Sequence, residues 1–300
     1  MSFNTDLASE AVDTLKSKNK SFKQYSNIKL IETSVDKNLS KQINKKQGDY
    51  YLIDISAEDT NDSESLLRIE KFITKVLKKI LKKEKITNNS KGLIVGLGNL
   101  NITPDSLGPK VIDKVIVTRH LFELDKDSIS EGISNVCALS PGVMGTTGIE
   151  TSDIIKAIID KISLDYIIVI DALKAYDINR INKSIQITNS GISPGSGVGN
   201  RRKELSKDIL GIPVIAIGIP TVVDASSIAI NSFYNLINNE QYQNLFRNYN
   251  KLNENDKIKI EQQLISNYNN NYIVSLKEID IDIENLSEVL SGAIDHAIHF

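Results

Sequence analysis

Two hydrophobic rhythms divide the chain. From Ser63 to Ile86, Leu66, Leu67, Ile69, Phe72, Ile73, Val76, Leu77, Ile80 and Leu81 recur at helical spacing with lysines in the gaps. This predicts an amphipathic helix with a solvated basic face. Ile28–Ile31 and Tyr50–Ile55 are short β-leaning runs on either side of a Lys/Gln/Asn/Gly-rich connector, which fits a hairpin or two edge strands. The centre alternates. Gly92–Leu97 reads as strand, Gly108–Thr118 as helix or helix then strand, and Thr151–Ile162 as helix. Tyr166–Ile170, Ser184–Thr188 and Leu210–Ile219 read as strands, and Ala225–Asn238 as helix. Such alternation predicts βαβ units in a mostly parallel or mixed central sheet with helices on both faces, an α/β fold. Residues 1–25 are polar and partly helical in pattern, without a strong apolar face. Residues 239–271 are Asn/Gln-rich with weak helix signals, and Ile283–Ile298 regains helical spacing. There is no internal repeat.

Length and composition narrow the function. Three hundred residues can bury a sizeable core. A formal charge of −2 argues against a general nucleic-acid binder, which needs a basic face. The single cysteine, Cys137, reads as a small core residue and makes no internal disulfide. No apolar run approaches the ~20 residues of a membrane span, and the N-terminus lacks a secretory pattern. A cytoplasmic chain without a membrane partner is expected.

The chemistry gathers at two aspartates. Asp105 lies in GLIVGLGNLNITPDSLGP, after the run Gly92–Leu97, and Asp171 lies at the carboxyl end of the run Tyr166–Ile170. Ligands in open α/β sheets bind outside the carboxyl ends of strands, so the two carboxylates can converge across one crevice. Paired carboxylates sharing a proton are the machinery of aspartic proteolysis. The structural alternative is that Asp105 merely caps the following helix. Thr151, Ser152 and Asp153 read as caps of their own helix. The first loop is not a dinucleotide fingerprint, since Gly96-Leu97-Gly98 lacks the third glycine.

NSGISPGSGVGNRRKEL carries Gly191, Gly195, Gly197 and Gly199 ahead of Arg201, Arg202 and Lys203, a pattern able to cradle an anion but without P-loop spacing. Gly191–Gly195 formally matches the nucleophile elbow G-x-S-x-G, yet Pro194, Gly195 and Gly197 oppose the helix it needs after Ser193. His120, His296 and His299 read as packed or surface residues, and no His/Cys cluster has zinc-ligand spacing. No metal or other cofactor is expected.

Taken in order, TDLASEA, GLGNLNITPDSLGP, VTRHLFEL, LSPGVMGTTGIETSDIIK, IDALKA and IQITNSGISPGSGVGNRRKELSKDILGIPVIAIGIPTVVDA resemble the spore germination proteases of endospore-forming bacteria. The likeness is dense from Leu93 to Ala225 and returns at the N-terminus. It implies an endopeptidase, made as an inactive precursor, that initiates degradation of the small acid-soluble DNA-coating proteins of the spore core. It also implies a homotetramer and an atypical aspartic mechanism. The family's catalytic aspartates, in TPD-x-LGP and IDAL, fall on Asp105 and Asp171. The implied fold is that of hydrogenase-maturation endopeptidases, relatives that use bound nickel, whereas germination proteases are not regarded as metalloenzymes. Thr5-Asp6-Leu7-Ala8-Ser9-Glu10 resembles the sequence the family cuts, which sets the processing bond at Asp6–Leu7. A six-residue propeptide then precedes a single α/β peptidase domain, 7–300, with its core at about 91–238 and a C-terminal helical segment at about 280–300.

On this reading Asp105 and Asp171 activate water, with Asn99 and the amides of the Gly195–Gly197 loop as donors to the oxyanion or substrate contacts. Two alternatives stay open. One is a maturation-type endopeptidase assisted by nickel or another metal; the other is a non-catalytic α/β module binding an anion at Gly195–Lys203.

Overall fold

The structure is a computed structural model. It describes residues 1–300 apart from 1–4, 14, 16–19, 126, 128, 196–201, 243, 267–271 and 300. Helix α1 (Ala8–Asp13) leads into strands β1 (Lys20–Tyr25) and β2 (Ile28–Val35), helix α2 (Lys37–Ile43), strand β3 (Gly48–Asp54) and helix α3 (Ser63–Lys83). Then come β4 (Gly92–Gly96), α4 (Leu107–Ile112), α5 (Arg119–Leu124), β5 (Val136–Leu139), α6 (Met144–Thr147) and α7 (Thr151–Ile162). The chain continues with β6 (Tyr166–Ala175), β7 (Ser184–Thr188), α8 (Lys207–Leu210), β8 (Val214–Asp224) and α9 (Ala225–Asn238). It closes with α10 (Arg247–Asn250), α11 (Glu254–Ser266), β9 (Ile273–Val274) and α12 (Ile279–Ile298). Among the described residues no helix is long and apolar enough to cross a membrane.

One mixed sheet runs in the order β1-β2-β3-β7-β8-β6-β4-β5, with β9 added to β8. The pairs β5·β4, β4·β6 and β6·β8 are parallel, and β8·β7, β7·β3, β3·β2 and β2·β1 are antiparallel. The α/β reading is thus correct, and the sheet reaches back to Lys20.

Because side chains alternate across a strand, the sheet has two distinct faces. One is apolar: Tyr51, Ile53, Ile94, Ile168, Ile170, Ile185, Ile187, Ile215 and Ile217 pack against α3, α4 and α12. Helix α3 forms as its spacing predicts, with Ile69, Ile73, Val76, Leu77 and Ile80 buried. The Asp62 carboxylate caps it, accepting from Ser65 N at 2.8 Å. Its basic face is not simply solvated, since Lys79 pairs with Glu32 at 2.9 Å and Lys83 pairs with Asp49.

On the other face, helices pack at the two ends. Ile155 of α7 and Leu210 of α8 pack on Leu93, Val95, Ile167 and Val169 at one end. At the other, Ala8, Ala11 and Val12 of α1 and Leu39 and Ile43 of α2 pack on Val35 and Tyr50. The stretch between is a cleft.

Several local expectations are corrected. Residues 20–25 form a strand, because β1 completes an antiparallel ladder with β2 whose partner the local pattern does not reveal. Residues 8–13 form a helix, in keeping with the partly helical pattern of 1–25, but Ala8–Val12 are buried. Within Gly108–Thr118 the helix-only alternative holds, with α4 ending at Ile112, and β5 is a short strand that sequence rhythm does not disclose. Thr151, Ser152 and Asp153 do not cap α7: its N-cap is Glu150 without a side-chain bond, and Asp153 pairs with Lys203 at 2.9 Å.

Candidate active site

Asp171 is not at the end of its strand. β6 continues to Ala175, but its neighbour β4 stops at Gly96, opposite Ile170. One last ladder bond follows, from Leu97 N–H to the Ile170 carbonyl at 2.8 Å. Asp171 therefore stands at the step where one neighbouring strand leaves. The chain leaving β4 folds back into that step and carries Asp105 with it.

Glycines make the turn possible. Gly98 has φ +115°, and a Cβ there would sit 2.0 Å from the Asp105 carbonyl oxygen, so only glycine lets the loop close. The Asn99 N–H donates to that same carbonyl at 3.0 Å, and the Thr221 hydroxyl of β8 donates to the Pro104 carbonyl at 2.7 Å. Asp105 is not a helix cap: α4 starts after Ser106 without any side-chain cap bond.

Both carboxyls are held above their ordinary range. Burial pushes Asp171 well up, and the charges of Asp105 and Asp6 push it further, against a backbone N–H at Ala172. Burial raises Asp105 to about 6, opposed by the Asn99 N–H. Asp171 is the more enclosed, at 7 % exposure, so it bears more of the mutual repulsion.

A cleft of about 1320 Å³ gathers Asp105 and Asp171 with Asp6, Lys45, Gln186 and Gly195. The N-terminal segment itself lies in it. Asp6 N–H donates to the Lys174 carbonyl at 2.9 Å, and the Asp6 carboxylate accepts from Lys174 N–H at 2.9 Å, so Asp6 adds to the edge of β6 beyond Asp171. Lys45 Nζ donates to the Thr5 carbonyl at 2.7 Å. Leu7 is wholly buried against Ile31, Leu52, Leu173 and Ala175, worth about 2 kcal/mol for a side chain of this size. The Glu10 carboxylate accepts from Tyr176 N–H at 2.9 Å, from Asp177 N–H at 3.0 Å and from the Thr5 hydroxyl. Even so, burial pushes Glu10 above its usual range.

The other expected residues divide. Gly195 lines the cleft, whereas Gly197 lies outside the described residues. Asn99 is not among the lining residues, and its Oδ1 closes its own loop by accepting from Asn101 N–H at 3.0 Å. Lys203 spends its ammonium on Asp153, which weakens the anion cradle. Ser193 also lines the cleft, but Ile192 bridges to Leu205 and the two residues after the serine, Pro194 and Gly195, form a turn. No histidine lines it: His299 accepts from Ser134 N–H at 3.2 Å, and His296 meets Glu70 at 2.9 Å. Among the described residues no group of three or more His, Cys, Asp or Glu is arranged to hold a metal ion.

Sequence reasoning missed Gln186, Lys45 and the anchoring role of Glu10. The available signal was a lone amide in Ser184–Thr188, a strand whose alternating isoleucines announce burial on at least one face.

Fold and cleft define a mixed-sheet α/β protein with two raised carboxyls beside a bound stretch of peptide. Residues 3–241 match the family model described as Germination protease, and the chain belongs to this protease family. It is 41 % identical to the germination protease of Clostridium tetani, covering 99 % of this chain and 96 % of that one. It is 38 % identical to that of Bacillus cereus strain B4264, covering 99 % and 94 %. Among solved structures, a [NiFe] hydrogenase maturation protease, HycI from Thermococcus kodakarensis, aligns at 18 % identity with TM-score 0.29. That alignment covers 49 % of this chain and 80 % of HycI, a likeness too slight to add to the fold described above.

Proposed function

We propose that the chain is an aspartic-type endopeptidase, made as a self-processing zymogen, that starts the breakdown of small acid-soluble proteins in the spore core. The observation that carries this reading is the meeting, in one cleft, of two raised carboxyls and the substrate-like segment Thr5–Glu10. Asp105, raised to about 6, gives up its proton more readily than Asp171, which burial and the neighbouring Asp105 and Asp6 carboxylates push well above the ordinary range. Asp105 then acts as general base towards water, and Asp171 as general acid towards the peptide carbonyl and the leaving amine. The pair titrates as a unit. Residues 1–6 are the propeptide on this reading, and 7–300 the peptidase.

The uncut N-terminal segment explains latency, since Asp6 of the propeptide and Leu7 just after it occupy ground that an external substrate would need. Assembly as a homotetramer agrees with the exposed apolar side chains of Ile116, Val117, Leu121 and Leu124, which a neighbouring subunit would cover.

The test is incubation of the full chain at mildly acidic pH, then with a small acid-soluble spore protein, with mass mapping of both. Release of Met1–Asp6, a new N-terminus at Leu7 and cleavage of the spore protein beside an acidic residue are expected. A stable active chain still beginning at Met1 or Ser2 would defeat the zymogen reading. An intact spore protein would defeat the substrate.

A further inference from the structure

Strand β7 is buried along its whole length, and Gln186, at 6 % exposure, is the polar residue at its centre. A buried amide costs free energy unless its donors and acceptor are matched. Those partners lie on the N-terminal segment. Nε2 donates to the Asp6 carbonyl at 3.2 Å, and Oε1 accepts from Ala8 N–H at 2.8 Å. The orientation of the amide is fixed by chemistry, because a backbone carbonyl only accepts and a backbone N–H only donates. One side chain thus grips the peptide on both sides of the Asp6–Leu7 bond.

The sheet register ties this grip to the aspartates. Gln186 of β7 pairs with Gly218 of β8, and Gly218 pairs with Asp171 of β6. Paired residues project to the same face, so Asp171 and Gln186 share it, two strand spacings of about 4.8 Å apart. Gly218 carries no side chain, and the Leu173 side chain leans across it to meet Leu7. A peptide held by Gln186 therefore lies along the floor from which Asp171 rises.

We propose that Gln186 is a catalytic residue of the protease: its amide donates to the carbonyl oxygen of the bond being cut and fixes the peptide register by accepting the amide proton two residues on. The assignment rests on processing at Asp6–Leu7, proposed above. In hydrolysis the water oxygen bonds to the Asp6 carbonyl carbon, the C–N bond to Leu7 breaks, and a proton passes to the Leu7 amine. Negative charge gathers on the Asp6 oxygen in between, where the Nε2–H already points, and such a donor is worth more there than in the ground state. Gln186 itself neither gains nor loses a proton. In the mature enzyme the same amide receives the backbone of an external peptide, whatever its side chains.

The experiment uses the full chain with Gln186→Met and Gln186→Glu. Methionine keeps the bulk and removes the donor. Glutamate keeps the acceptor for Ala8 N–H and regains a donor only when protonated. The rate of Met1–Asp6 release is followed by intact mass from mildly acidic to neutral pH, with a melting curve for each variant. Gln186→Met should slow release about 10²-fold at every pH. Gln186→Glu should be equally slow near neutrality and recover towards the parent rate as pH falls, so that its ratio to the parent climbs. A packing role alone would leave that ratio flat, and a flat ratio overturns the proposal. Should Gln186→Met fail to fold, the glutamate ratio decides alone. Parent cleavage at Asp6–Leu7 with an unimpaired methionine variant overturns the proposal and leaves the processing reading standing. Parent cleavage at another bond overturns both.

Discussion

The parallel and antiparallel halves of the sheet do different work on the same face. The parallel half, β5-β4-β6-β8, supplies Asp105 and Asp171, both at the step where β4 ends beside β6. The antiparallel half, β1-β2-β3-β7, supplies a wall: Ile31, Leu52 and Gln186 receive Leu7 and the Asp6 carbonyl. Strand ends in a parallel sheet leave loops free to carry charged groups. An antiparallel ladder offers a continuous in-register surface on which an extended peptide can lie. Chemistry on one half and grip on the other is the division this cleft displays, and it can be tested half by half.

The largest effect belongs to the parallel half. Asp105→Asn and Asp171→Asn should each lower peptide cleavage by about 10³-fold or more while the melting curve persists, and the double variant should be little worse than either single. Residues that act as one unit lose their effect together. A single variant with near-normal turnover would break the assignment of the chemistry to this half.

The anchor of the N-terminal segment comes next. Glu10→Ala leaves the Tyr176 and Asp177 N–H groups and the Thr5 hydroxyl without their acceptor. The cost is about 2 kcal/mol or more for losing charge-assisted bonds at a buried site. It should fall on the docking of Leu7–Val12 rather than on the sheet. Hydrogen exchange should show faster amides in Leu7–Val12 with unchanged protection in β6 and β8. Unchanged protection in Leu7–Val12 would mean that Glu10 does not hold the N-terminal segment.

How much of this was legible beforehand follows the same division. The parallel half announces itself: buried strands read as unbroken apolar runs, and both aspartates follow such runs. Even there, the apolar rhythm ends β6 five residues early, because Asp171 and Lys174 interrupt the run while the ladder with β8 continues to Ala175. Lys174 stays in the strand, almost fully buried, because its ammonium meets Asp224 at 2.7 Å. The antiparallel half was only partly readable. β1, Lys-Ser-Phe-Lys-Gln-Tyr, is mostly exposed and owes its form to β2. The lone amide of Gln186 in an apolar strand hints at burial but not at its partners, which lie 178 and 180 residues away in sequence.

A third prediction turns on pH and sharpens the picture of the aspartate step. Asp105, at about 6, and Asp171, raised further by burial, bind protons in the folded chain that an unfolded chain, with ordinary carboxyls, does not bind until lower pH. A carboxyl raised on folding favours the folded state at low pH, and that advantage is lost as pH rises through its folded value. Stability should therefore increase as pH falls from 7 to about 5. Glu284, held down to about 2 by Lys110 and Lys114, acts in the opposite sense, but only below the ordinary carboxylate range. Asp105→Asn removes one contribution. The move from 3.8 to about 6 corresponds to about 3 kcal/mol at full weight, and to about 1–2 kcal/mol once the partly open carboxyl's contact with water is counted. Denaturant melts at pH 7 should show that gain, with a flatter pH profile. A variant less stable than the parent at pH 7 would contradict the placement of Asp105 in a desolvating step.

The smallest expected effect is at Ser193, and it protects the comparison from a rival. Gly191–Gly195 fits a nucleophile elbow on paper, and Ser193 does line the cleft. An elbow works because a sharp strand-to-helix turn lifts the serine towards a histidine. Here Ile192 exchanges both backbone bonds with Leu205, at 2.9 and 2.8 Å, and a turn at Pro194–Gly195 follows in place of a helix. The histidines are committed or remote: His299 to Ser134, His296 to Glu70, and His120 exposed on α5. Without a base in reach the hydroxyl keeps its proton and remains a weak nucleophile. Ser193→Ala should accordingly retain cleavage within about twofold of the parent, and serine-directed covalent reagents should leave no stoichiometric adduct. Stoichiometric labelling of Ser193 with parallel inactivation would move the chemistry from the aspartate step to the glycine-rich loop.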